Sequence, residues 1–161
     1  MVEQSLGGPW RRAGLCTALC LLIASAAWAA SAMEQTITSR QSNLKDLGGA
    51  FKAVRDQLRR STPNLAEIKQ AATQINELAA DQKHWFPKGS GPEAGIKTAA
   101  KPEIWSDPTG FAAALDKFST EAPKLLELAN ANDIEGLKSQ VKVVGDACKG
   151  CHDKYRVPDD S

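Results

Sequence analysis

The residues with the clearest capacity for chemistry lie close to the C-terminus, in the stretch CKGCHDKYR from Cys148 to Arg156. Two cysteines stand three positions apart there, and His152 follows the second one directly. Thiols and an imidazole at such spacing can bind a metal, exchange disulfides or attach a cofactor covalently. The choice among these chemistries depends on the compartment of the chain and on the element that carries the motif.

The N-terminal segment is typical of a secretory signal peptide. Arg11 and Arg12 form a basic start, an apolar run extends from about Ala13 to Ala30, and the small residues ASA end at Ala32. We therefore expect cleavage after Ala32, which removes residues 1–32 and exports residues 33–161 to the periplasm as one domain without membrane insertion. An uncleaved anchor is the alternative, because a run of roughly 18 residues is close to the length that spans a bilayer.

Charge and cysteine content limit the classes of partner and the cysteine chemistry that we expect for the exported chain. The full sequence has 20 Lys and Arg against 19 Asp and Glu, and removal of residues 1–32 leaves 18 of each. A neutral chain without a basic cluster favours neither nucleic acid nor an anionic membrane as a partner. Only Cys148 and Cys151 remain of the four cysteines, so in an oxidising compartment this pair must be bridged, redox-active or chemically occupied.

Four segments of the chain show apolar residues at intervals of three and four, which is typical of amphipathic helices. No segment shows the alternation expected of a strand. The predicted helices extend from about Glu34 to Arg60, from Thr62 as cap and Pro63 in the first turn to a point before Pro87, from Asp107 and Pro108 onward, and from after Asn132 to Tyr155.

A long connection separates the second predicted helix from the third. The stretch from Trp85 to Trp105 is rich in glycine and proline, and its three aromatic residues indicate that it packs against the fold. The other two links are short, which favours antiparallel neighbours. The sequence therefore predicts an all-α, antiparallel up-down four-helix bundle.

The cysteine motif lies on the apolar stripe of the fourth predicted helix. Residues three apart on a helix lie on nearly the same face, so Cys148 and Cys151 can both reach one edge of a porphyrin and form thioethers. His152 lies about 100° further round the helix and can present its imidazole to the iron. Cys-x-x-Cys-His is the attachment signature of c-type haem, and its place on the stripe puts haem c in the bundle core.

Three other interpretations of the motif compete with haem attachment. A thioredoxin-like pair belongs at the strand-to-helix turn of a βαβ unit, which the helical pattern lacks. A zinc site needs further ligands, and His84 is the only other histidine of the chain. A plain disulfide or two buried thiols remain, although three residues of helix hold the sulfurs awkwardly for a disulfide.

Across the whole exported chain the sequence resembles the class II cytochromes c, the group of cytochrome c′ and cytochrome c-556. The similarity rests on the C-terminal CKGCHDKYR, on RQSNLKDLGGAFKAV in the first predicted helix, and on WFPKGSGPEAG and KPEIW in the connection. Cytochrome c′ is itself a known up-down four-helix bundle. The resemblance therefore implies the same fold with one covalently attached haem.

The resemblance also implies roles for residues outside the motif. Leu44, four positions after Arg40, matches the residue on the distal side of the iron, where the six-coordinate c-556 type has a methionine. Leucine has no donor atom, so the iron is expected to be five-coordinate. His84 is the alternative sixth ligand, but its place at the end of the second predicted helix, beside the loop rich in proline and glycine, favours a surface residue. Arg40 is expected to contact a haem propionate, with a solvated surface arginine as the alternative, and Arg156 to lie near the proximal imidazole.

Two functional hypotheses follow, and neither is enzymatic. The first is a periplasmic electron carrier that exchanges electrons with redox partner proteins. The second is a protein that binds or buffers nitric oxide or carbon monoxide in the apolar distal pocket beside Leu44. The resemblance adds a homodimer paired through the first helices.

Overall fold

A computed structural model describes residues 13–158 of the chain, with side chains described from Ala30 onward. The helices are α1 (Ala13–Leu58), α2 (Leu65–Asp81), α3 (Glu103–Ser106), α4 (Pro108–Asn130) and α5 (Ile134–Tyr155). Two short 3₁₀ turns, Gln82–His84 and Pro92–Ala94, lie between α2 and α3. The basic start of the predicted signal peptide, Arg11 and Arg12, lies outside the described residues.

The first two helices begin at other residues than the sequence pattern predicted. α1 begins at Ala13 rather than near Glu34, since strong helix formers dominate the intervening segment and neither glycine nor proline interrupts it between Gly14 and Gly48. α2 is capped by Asn64, whose side chain accepts hydrogen bonds from the Ala66 and Glu67 amides. The prediction of Thr62 as cap was therefore wrong, because Asn64 supplies the acceptor and leaves Pro63 outside the helix.

The four long helices form the predicted bundle. α1 packs on α2, α2 on α4, and α4 on α5, while α1 and α5 close the ring. Side chains from all four helices meet in one large core, which includes Val54, Ile75, Leu125 and Leu137. In a second, smaller cluster, Ala100 of the connection and Ile104 of α3 pack with Phe111 of α4 and Tyr155 at the end of α5.

The ends of α4 and α5 have side-chain caps. Asp107 accepts a hydrogen bond from the Gly110 amide, and Pro108 follows it in the first turn of α4, as predicted. Asp133 caps α5 by accepting from the Gly136 amide at 2.9 Å. These caps fix where the helices begin and so set the register of the motif at the far end of α5.

The connection pairs with the tail that follows α5. Ala100 and Arg156 form an isolated antiparallel bridge, with Lys101 donating to the Tyr155 carbonyl at 3.0 Å and Val157 donating to the Ala99 carbonyl at 2.8 Å. Within residues 13–158, no helix combines the length and the apolar character that crossing a bilayer requires.

Candidate cofactor site

A cavity of about 900 Å³ opens between α1, the connection and α5. Its size is within the range of small-molecule and cofactor sites, about 300–1,000 Å³. Most of its wall is apolar and comes from every long helix, including Leu47 and Phe51 of α1, Ile75 of α2 and Phe118 of α4. The structure brings all six predicted site residues to this one wall: Arg40, Leu44, Cys148, Cys151, His152 and Arg156.

Cys148 and Cys151 lie half-buried on α5, at the junction of the two apolar clusters. Cys148 packs against the large core and Cys151 against the smaller one, and the two thiols are not bridged. Burial raises the pKa of the Cys148 thiol to about 11, with a further contribution from Cys151, whose own pKa burial also raises. Without a covalently attached cofactor, burial therefore favours the neutral thiol form of both groups.

His152 follows Cys151 on the same helix and is exposed at the cavity. Its carbonyl accepts a hydrogen bond from the Arg156 amide at 3.1 Å, which closes the last turn of α5. Arg156, half-buried, lines the cavity one turn further on. Within the described residues, no group of three or more His, Cys, Asp and Glu side chains could hold a metal ion.

Leu44 on α1 does not belong to the packed core, although the apolar stripe includes it. It is 38% exposed and lines the cavity. An apolar side chain at this wall offers no atom that could donate a hydrogen bond or bind a metal. His84 is exposed and stands outside the cavity wall.

Arg40 is buried, with 2% of its surface exposed, so the alternative of a solvated surface arginine is wrong. Its guanidinium donates to the Ser90 hydroxyl and carbonyl at 2.9 Å each, to the Thr98 hydroxyl at 3.1 Å, and to the Trp85 carbonyl at 3.4 Å. It also lies 5.0 Å from the centre of the Phe86 ring. Burial lowers the pKa of the guanidinium and nearby Glu93 opposes that effect, yet an arginine stays charged.

Aromatic side chains form one side of the cavity. Phe86 and Phe111 meet edge to face with ring centres 4.9 Å apart, and Phe111 meets Tyr155 in the same way at 5.1 Å. The sequence indicates that Phe86 packs against the fold, but its ring partner Phe111 lies in α4, and no local pattern identifies that contact. Gln82 is buried at the wall and donates to the Ser119 hydroxyl at 3.2 Å. Its role cannot be predicted from the sequence, because a single glutamine at a helix end has no distinctive pattern.

Asp107 connects the start of α4 to the end of α5. Besides capping α4, its carboxylate accepts from the Tyr155 hydroxyl at 2.9 Å and from Lys154 Nζ at 2.6 Å. These bonds lower the pKa of Asp107 to about 2. The bond from Lys154 has the largest effect, followed by those from Tyr155 and from the Gly110 amide. The cap thus also holds the helix end that carries the cysteine motif.

We expect Asp107→Asn to lower the melting temperature at neutral pH by a few degrees at most, because solvent reaches part of this carboxylate, with 38% of the side chain exposed, and screens its ion pair. Asp107 has a lowered pKa in the folded chain, so its stabilising effect is present above pH 4 and is lost as the pH falls towards 2. Melting curves recorded by circular dichroism from pH 7 to pH 2 should show the variant and the wild type converging.

The matched control is Glu135→Gln, which removes one exposed ion pair with Lys138 within α5. It should change the melting temperature less than Asp107→Asn, because Asp107 has three partners. A constant difference between Asp107→Asn and the wild type down to pH 2 would contradict the account of this carboxylate.

The lining of the cavity suits a haem. Two thiols and an imidazole come from consecutive turns of one helix, and the rest of the wall is largely apolar. The charged residues of the lining are the cations Arg40, Lys45, Lys97 and Arg156, with no Asp or Glu among the lining residues of the described chain. Such a rim favours a ligand that carries carboxylates. An all-helical bundle with this motif facing this cavity defines a c-type haem protein.

Comparison with known proteins identifies the family. The sequence matches the family model described as Cytochrome C' over residues 35–156. The cytochrome c′ of Alcaligenes xylosoxydans xylosoxydans is 33% identical over 124 residues, which cover 76% of this chain and 94% of that relative. The chain therefore belongs to the cytochrome c′ family.

Solved structures of this family have the same fold. A nitric oxide complex of a variant of the Alcaligenes xylosoxidans cytochrome c′ has a TM-score of 0.70 at 29% identity, covering 79% of this chain and 97% of that one. A cytochrome c′ with ligand-controlled dimer dissociation has a TM-score of 0.72 at 27% identity, covering 78% and 97%. Proteins of this family bind haem c covalently, and in this chain the attachment residues are Cys148 and Cys151.

Proposed function

We propose that this protein is a periplasmic electron carrier whose haem iron is five-coordinate. When bound, haem c supplies an iron that can gain and lose one electron. The observation that supports five-coordination is the composition of the cavity wall, which among the described residues includes one imidazole, that of His152, and no methionine. A second strong axial ligand would have to come from elsewhere.

Each site residue has a separate role in this proposal. His152 would bind the iron, and the two thioethers of Cys148 and Cys151 would fix the cofactor on the same helix. Leu44 would keep the wall formed by α1 apolar. Arg40 places a fixed positive charge at the wall for a propionate, and Arg156 lies one turn beyond the imidazole, where a cation is also favourable at a helix end.

Binding of small neutral gases is the second candidate function. Leu44 supports it, because an apolar wall without a hydrogen-bond donor tolerates neutral diatomic molecules and gives no help to bound dioxygen or to peroxide cleavage. A variant of the Alcaligenes xylosoxidans cytochrome c′ has been solved as a nitric oxide complex. For this chain we infer nitric oxide or carbon monoxide as ligands, and no catalytic turnover.

The proposal also covers the export of the chain and the molecules with which it associates. Removal of residues 1–32 would leave Met33 as the first residue of the periplasmic protein, which an intact mass reports. Redox partner proteins are the expected partners. A second copy of this chain is a further expected partner, since a cytochrome c′ of similar fold shows ligand-controlled dimer dissociation.

Protein-film voltammetry of the purified holoprotein tests the carrier function. A carrier with a rigid site should give a reversible one-electron wave with no loss of signal over repeated cycles. The same film under nitric oxide should lose that wave if the gas occupies the site. If the film gives no one-electron wave even before nitric oxide is added, the result would contradict electron transfer and leave gas binding as the better function.

A further inference from the structure

The connection between α2 and α4 lies between the wall of the cavity formed by α1 and the wall formed by α5. Its residues 97–100 line the cavity together with residues 155–158, which are the last residue of α5 and the tail that follows it. α1 and α5 pack against each other less extensively than the other neighbouring pairs of long helices do. At the mouth of the cavity, Arg40 of α1 and the residues that follow α5 both hydrogen-bond to the connection.

Besides its bond to the Trp85 carbonyl at 3.4 Å, Arg40 attaches this connection to α1 at two further points. One is Ser90, whose hydroxyl and carbonyl both accept from the guanidinium at 2.9 Å. The other is Thr98, whose hydroxyl oxygen accepts from Arg40 at 3.1 Å and from the Ala100 amide at 3.2 Å. Because one oxygen serves both donors, the position of the guanidinium and the local course of residues 98–100 depend on each other.

The same segment holds the end of α5. The Ala99 carbonyl accepts from the Val157 amide at 2.8 Å, and the Lys101 amide donates to the Tyr155 carbonyl at 3.0 Å. These two bonds flank Arg156, whose own amide closes the last helical turn on the His152 carbonyl at 3.1 Å. Hydrogen bonds between adjacent residues of the two segments, joined by the backbone, therefore lead from Arg40 on α1 to the turn that carries His152.

We propose that Arg40 is a positioning residue for His152, acting through Thr98 and the paired segments 99–101 and 155–157, which we call the brace. Two requirements distinguish this role from a purely electrostatic one. The brace needs the forked geometry of a guanidinium, which reaches Ser90 and Thr98 together, whereas a propionate needs only a positive charge. The orientation of the His152 imidazole matters only if it is the iron ligand, so that part rests on the proposed function.

Thr98→Val tests the brace with a change that preserves the shape of the side chain. The hydroxyl oxygen is lost, so Arg40 and the Ala100 amide lose a shared acceptor. In the holoprotein we expect hydrogen exchange of the Lys101 and Val157 amides to become about tenfold faster, as expected for the loss of one or two ordinary hydrogen bonds. Exchange of core amides such as those of Ile75 and Leu125 should stay unchanged.

Thr73→Val is the matched control. The Thr73 hydroxyl donates to the Lys69 carbonyl at 2.9 Å within α2, away from the connection, so it should leave the Lys101 and Val157 amides as they are. Unchanged exchange at those two amides in Thr98→Val would overturn the proposal. Equal acceleration of the core amides would also overturn it, since that pattern reports loss of global stability.

Arg40→Lys separates charge from geometry. Lysine retains the charge but cannot join Ser90 and Thr98 at once, so we expect the same selective acceleration as in Thr98→Val. Resonance Raman spectra of the ferrous holoprotein should show a shifted or broadened iron–imidazole stretch in both variants and not in Thr73→Val. An unchanged band beside accelerated exchange would refute positioning of His152.

A wild-type spectrum without any iron–imidazole band would instead refute the assignment of His152 in the proposed function. The amide exchange of Lys101 and Val157 would still support or refute the brace in that case, because it does not depend on the iron ligand. If Arg40→Lys fails to fold, Thr98→Val alone decides the question.

Discussion

Replacing Cys148 and Cys151 together by serine should abolish covalent haem in a host that attaches c-type haem. Serine cannot form the thioether, so no covalent bond to the porphyrin remains on α5. The expected effect is complete loss of haem staining at the position of this chain on a denaturing gel, with the polypeptide still detected by an antibody. Because the gel is denaturing, the result does not depend on whether the variant folds.

The matched control exchanges the two cysteines of the predicted signal peptide, Cys16→Ser with Cys20→Ser. These lie outside the cytochrome c′ family match, so haem staining should equal that of the wild type. Haem that survives in the Cys148→Ser, Cys151→Ser protein would contradict the attachment. So would wild-type protein from a competent host that contains zinc and no iron.

Shortening Leu44 should have the second largest effect. If the side chain must leave its preferred rotamer before a gas molecule can enter, its removal lowers the barrier by roughly 0.5–1.5 kcal/mol, and each 1.4 kcal/mol is about tenfold in rate. We therefore expect Leu44→Ala to accelerate carbon monoxide binding by up to about tenfold. Flash photolysis of the ferrous carbonyl protein measures this rate directly.

Leu65→Ala is the control for the loss of an exposed leucine. Leu65 is 39% exposed, close to the 38% of Leu44, but it lies at the start of α2 and outside the cavity wall. Its replacement should leave the rate unchanged. Equal rates in Leu44→Ala and the wild type would show that Leu44 does not limit entry.

Leu44→Met makes the complementary change. It places a thioether at the wall, and we expect its spectrum to move towards the six-coordinate, low-spin type. A spectrum that stays high-spin would mean that the methionine sulfur does not reach the iron.

The helices and the motif could be predicted because their signals are local. Apolar residues three and four positions apart on α5 identify both a helix and the face that carries Cys148 and Cys151. The cap of α2 is harder to predict from the sequence. Thr62 and Asn64 are both good capping residues, and sequence spacing alone does not choose between them. The early start of α1 follows from helix propensity, which continues through the predicted signal peptide.

The environment of Arg40 could not be predicted, because its partners are distant in sequence. Ser90 and Thr98 follow it by 50 and 58 residues and lie in a connection without any periodic pattern. The same is true of Asp107, whose cap role is local but whose contact with Tyr155 spans 48 residues. Polar contacts of this kind depend on how the loops settle on the bundle, which apolar periodicity does not encode.

Absorption spectra of the reduced holoprotein, recorded before and after addition of carbon monoxide, test the central claim most directly. With His152 as the axial ligand and Leu44 on the opposite face, the ferrous protein should be high-spin and five-coordinate, and its spectrum should change when carbon monoxide binds. A low-spin ferrous spectrum that does not respond to carbon monoxide would contradict this account, because a second side chain would then occupy the iron.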